Sequence, residues 1–122
     1  MEQTLYWHPA WEKTISIEDR KHVEKLFTCT PRKPYTVFRV AINHKGELLV
    51  SALIQNETQT PWIRQMLAFV QDNKPIAKGH FHVHVLPKTS MAWTFIFPDP
   101  TGMTKSDSGH LQEMTVDTLD LL

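Results

Sequence analysis

Three histidines at alternate positions, His80, His82 and His84, are the only cluster of side chains in the 122-residue chain able to do chemistry. Near neutral pH an imidazole can act as a nucleophile, a proton carrier or a metal ligand. The residues between them, Phe81, Val83 and Val85, are apolar. A period of two predicts a strand with the histidines on one face and the apolar residues on the other. The stretch Met91 to Phe97 also alternates and is rich in strand formers. The short Pro87-Lys88-Thr89-Ser90 between the two predicts a hairpin. With a two-residue turn, His84 faces Trp93, His82 faces Phe95 and His80 faces Phe97. Opposed residues share a face, so the histidines are expected among three aromatic rings.

That arrangement suits metal binding poorly. Side chains two apart on a strand start roughly 6.7 Å apart and can converge on one ion, but His80 and His84 start roughly 13 Å apart. Two strand histidines need a third ligand from elsewhere, and Trp93, Phe95 and Phe97 are not ligands. No metal site and no cofactor are assigned, and coordination by two histidines stands as an alternative. The leading expectation is interaction. Trp93, Phe95 and Phe97 beside three histidines make a half-exposed, sticky face suited to a protein partner or a second copy of the chain.

The segment His80-Phe81-His82-Val83-His84-Val85-Leu86 also resembles the signature of the histidine triad family, in which three histidines alternate with apolar residues. Met91 and Trp93 fall where one branch of that family places the same residue types. The resemblance implies a nucleotide hydrolase or transferase. His82 would be the nucleophile on the α-phosphorus, and His80 and His84 would orient it and assist the leaving group. A nucleotide is a ligand only under this alternative.

The rest of the chain must position these residues. Its length suits one domain, with 41% apolar and 21% charged residues. Zero formal net charge supplies no field to recruit nucleic acid or an anionic membrane. With Cys29 as the sole cysteine, no intrachain disulfide can form. The start has neither a basic nor an apolar leader region, and no apolar run approaches the roughly 20 residues of a membrane span. A soluble, cytoplasmic protein is expected.

Tyr6 to Trp11 is dense in aromatic residues and is expected to strap onto the core. Ser16 and Asp19 have the spacing of a capping box opening a helix over 17–27, with Val23, Leu26 and Phe27 inward and His22 at the surface. Residues 35–43 and 47–55 read as a hairpin turning at Asn43-His44-Lys45-Gly46. Thr60-Pro61 reads as a helix start, followed by the stripe Ile63, Met66, Leu67 and Val70, with Asp72-Asn73 and Pro75 as the stop. The expected fold is a single α+β domain over 1–102, with a mainly antiparallel sheet and two helices in the order helix, hairpin, helix, hairpin. Residues 103–122 read as a polar, acidic tail. Leu111, Met114, Thr118, Leu121 and Leu122 could give it a short helix.

Overall fold

The computed structural model describes residues 3–29, 33–98, 100 and 109–113. In chain order these form β1 (Thr4–Tyr6), α1 (Pro9–Thr14), α2 (Ile17–Cys29), β2 (Tyr35–Ile42), β3 (Leu48–Asn56), β4 (Gln65–Gln71), β5 (Lys74–Phe81), β6 (Thr89–Phe97) and β7 (His110–Glu113). One sheet has the order β1-β6-β3-β2 and the other β5-β4-β7. All pairings are antiparallel except β1 with β6. The α+β class, the mainly antiparallel pairing and the helix expected over 17–27 agree with the sequence; the number of helices is also two, but the second is α1, which stands before it.

The strands stack as two layers because each inner face is apolar. Leu48, Val50, Ala52 and Ile54 of β3, with Met91, Phe95 and Phe97 of β6, meet Leu67 and Phe69 of β4, Ala77 of β5 and Leu111 of β7. The opposite face of the four-stranded sheet carries Leu53, Ala92 and Phe38, and these pack against Val23, Leu26 and Phe27 of α2 and against Leu5, Trp7 and Trp11. The aromatic opening segment therefore straps on as expected. Ser16 Oγ accepts from the Asp19 N–H at 3.1 Å, so the cap forms. Asp19 does not reach back to complete a box; its carboxylate takes Arg39 Nη2 at 2.6 Å. A bulge between Val37 and Arg39 allows this, because the extra residue lets Phe38 point into the helix layer and Arg39 follow beside Asp19.

Two element assignments need correction. The helix expected from Thr60-Pro61 is absent, and its residues supply β4. Thr60 is engaged in a loop: its carbonyl accepts from Asn56 Nδ2 at 2.9 Å, and Asn56 Oδ1 takes the Thr58 N–H and hydroxyl. Gln65, Leu67 and Phe69 alternate inward at period two, which competes with the helical stripe in the same residues. Ile63, expected inside, is 60% exposed. Asp72 and Asn73 have φ of 50° and 64°, a pair of left-handed residues that closes the β4–β5 hairpin rather than stopping a helix. The order helix, hairpin, helix, hairpin is accordingly replaced, among the described residues, by one strand, two helices and six further strands.

The histidine hairpin is the second correction. β5 pairs with β4, setting His80 opposite Met66 and Phe81 opposite Gln65, while β6 pairs with β3 and β1. Residues 82–88 cross from one sheet to the other. Within the expected tail, His110–Glu113 forms β7 against β4, with Leu111 in the core. Residues 103–108 and 114–122, with most of the expected short helix, lie outside the described residues. Gly109 passes so close to the buried Phe69 ring that a Cβ there would overlap it.

Candidate functional site

The crossing segment is held by polar side chains placed for that task. Buried Gln65 donates through Nε2 to the Val83 carbonyl at 2.7 Å and accepts the Val83 N–H on Oε1 at 3.0 Å. One primary amide thereby copies the two bonds that a neighbouring strand would supply. Two residues on, Val85 exchanges both backbone bonds with Trp62 at 2.8 and 2.9 Å, and its carbonyl also accepts from Asn56 Nδ2 at 3.1 Å. Val83 and Val85 are thus fixed inward, at 4% and 1% exposure. His80, His82 and His84 face solvent, so the in-and-out alternation read from the sequence holds.

Their expected partners do not hold. Phe95 and Phe97 are buried and contact Phe81, not the histidines, at ring-centroid distances of 4.9 and 5.1 Å with edge-on geometry. Gly79 leaves room for this, since a Cβ there would lie 2.9 Å from Phe81 Cζ. Trp93 meets a histidine, but it is His8, edge-on at 4.9 Å. The expected pairing of His84, His82 and His80 with Trp93, Phe95 and Phe97 fails because 82–88 arches between sheets and no turn folds β5 back on β6.

What the arch does assemble is a different group. His84 and Leu86 line a cavity of about 260 Å³ with Tyr6, His8, Thr89 and Met91. His8 caps α1, accepting the Ala10 N–H on Nδ1 at 3.1 Å, which leaves Nε2 directed away from the helix. On the other side of the His8–Trp93 contact, a wider cleft of about 410 Å³ runs between Trp93, Trp11 and Thr94 and ends at the Asp19–Arg39 pair. In the sequence Tyr6 and His8 read only as part of an aromatic strap. They lie nearly eighty residues from His84, and parallel pairing of β1 with β6 brings them there.

A third, smaller cavity of about 210 Å³ lies by Tyr35, Trp62, Arg64 and Glu113. Burial pushes the Tyr35 phenol well above its usual 10.0, and the Glu113 carboxylate adds to the shift. The folded chain therefore holds this proton after the unfolded chain has begun to release it. Stability should be unaffected by Tyr35 below about pH 10 and should fall as pH rises beyond that. Denaturant titrations between pH 9 and 12 check this: Tyr35→Phe should show the shallower decline.

Among the described residues, no three His, Cys, Asp or Glu side chains gather where they could hold a metal ion. No described helix is long and apolar enough to cross a membrane.

No curated protein and no solved structure matches the chain significantly. A family model does match, over residues 5–116, and it is not that of the histidine triad. The triad resemblance is thereby corrected: His80 to Trp93 copies a short signature inside a different family, and the nucleotide chemistry assigned to His80, His82 and His84 was implied by that signature alone. The match takes in all of the strands and helices described above but the first residue of β1, and on it the chain belongs to the SLAP domain family.

Proposed function

We propose that this domain works by binding another polypeptide, through the surface where the two cavities meet at His8 and Trp93. The observation that carries this is the ring contact between His8, which lines one cavity, and Trp93, which lines the other. Tyr6 and Leu86, 44% and 54% exposed, rim one cavity, and Trp11 and Trp93 wall the other. Large aromatic side chains bury much area at small entropic cost, and they concentrate where proteins meet. His84 and His8 add groups that bond to either donors or acceptors, and the Asp19–Arg39 pair closes the far end. The polar work of the arch supports the same reading. Gln65 and Asn56 spend their amides on backbone, which fixes shape and contributes no reacting atom.

A photoreactive phenylalanine analogue placed at Leu86 or Tyr6 tests the proposal in cells that make the protein. A discrete cross-linked polypeptide is expected from both positions and not from Ile17, which is 74% exposed on the helix layer. Adducts from Ile17 with none from Leu86 or Tyr6 would contradict it.

A further inference from the structure

The four-stranded sheet has an edge that is half covered. β6 pairs with β3 without interruption from Thr89 to Phe97, but on its other side β1 pairs only with Thr89, Ser90 and Met91. Thr4 donates its N–H to the Lys88 carbonyl at 3.0 Å. Backbone groups alternate sides along a strand, so the even-numbered residues here turn theirs toward β1 and the odd-numbered toward β3. Beyond Tyr6 the N–H and C=O of Thr94 and Ile96 therefore point to an edge where, among the described residues, no strand follows.

The other edges are blunted. β2 is broken by its bulge and carries exposed Arg39. β5 has Lys74, Pro75 and Lys78 as well as a bulge, and β7 has four residues. Charge, proline, bulges and shortness are the ordinary means by which a sheet edge avoids pairing. β6 has none of them from Thr89 to Phe97, and next to Thr94 the sheet carries Ala41, Leu49 and Ile96 side by side across three strands.

Resting on the proposal above that this face binds a polypeptide, we infer that the edge at Thr94 and Ile96 is where the partner pairs, as an added β-strand. The occupant is an extended segment of another protein, uncharged and β-branched or aromatic where it meets β6. Only an extended backbone offers donors and acceptors at the two-residue spacing these groups demand. An uncharged edge also disfavours a charged strand, whose charges would lose water without gaining a counter-charge. On the helix side, the cleft between Trp11 and Trp93 lies beside Thr94 and has room for one large apolar side chain of that strand.

The test is amide hydrogen exchange of the full chain, alone and with a blocked peptide of seven residues alternating threonine with valine and phenylalanine. Thr94 and Ile96 amides should exchange freely alone and slow by at least about tenfold at saturating peptide, on the scale of one backbone hydrogen bond. Trp93 and Phe95 amides, already paired to β3, should not change. Ile96→Pro removes an outward donor and no bond to β3, and should weaken peptide binding by about tenfold. Ile96→Ala keeps the donor and should bind within about threefold. Should Ile96→Pro not fold, N-methylating the peptide amides that face the edge should produce the same loss on the unaltered protein. Protection of Thr94 and Ile96 in the free chain, self-association through this edge, or no binding of the peptide would overturn the inference. Cross-links at Leu86 to a partner that leaves Thr94 and Ile96 unprotected would overturn edge pairing and leave the binding surface standing.

Discussion

Replacing Gln65 with alanine is expected to destabilise the domain by about 3–5 kcal/mol, the largest effect of any single side chain discussed above. The amide is buried and serves both the N–H and the C=O of Val83. Truncation leaves these two backbone groups without partners, at roughly 1–3 kcal/mol each, and opens a cavity as well. Gln65→Glu separates the two contributions. Its carboxylate can accept from the Val83 N–H but repels the Val83 carbonyl, whereas the neutral acid can donate to it. The folded pKa of that glutamate should lie above its unfolded value. Its stability should then be near that of the parent below about pH 4 and fall as pH rises through the window above it. Chemical denaturation at pH 4 and pH 7 gives the comparison. Equal losses at both values would mean that the clamp is not a hydrogen-bond pair.

Gly109→Ala should cost about 2–3 kcal/mol, with no change in the exposed surface. The added methyl group would overlap the edge of the Phe69 ring, which is fully buried between the sheets and has no space to yield. Phe69→Leu in the same background should recover part of the loss, because it removes the ring edge that clashes. Thermal unfolding of the two single variants and the double variant checks this. An additive double variant would show that Gly109 does not pack on Phe69.

Local signals were legible wherever they depended on neighbours in sequence. The Ser16 cap, the Asn43–Gly46 turn and the alternation of Phe81, Val83 and Val85 are of this kind. The misreadings came where tertiary partners decide. Residues 63–70 satisfy a helical stripe and a strand alternation together, and the pairing of β4 between β5 and β7 selects the strand. Asp72-Asn73 carried a usable signal, since two adjacent residues that tolerate positive φ before a β-rich run form a tight hairpin turn. The short Pro87–Ser90 connection suggested that adjacent strands pair, but Gln65 and Trp62 capture the intervening residues for an arch, and nothing local to the histidines announces that. Tyr6 and His8 join His84 only through the parallel β1–β6 pairing, the contact with the greatest sequence separation in that sheet.

The arch turns Val83 and Val85 inward behind Phe81 and displays the three histidines. Proton–proton contacts in a nuclear Overhauser spectrum of the labelled chain test this directly. The expected result is contact of the Phe81 ring with the Phe95 and Phe97 rings and of the His8 ring with Trp93, with His82 and His84 contacting neither Phe95 nor Phe97. Cross-strand contacts joining His82 to Phe95 and His84 to Trp93 would restore the hairpin and contradict the account.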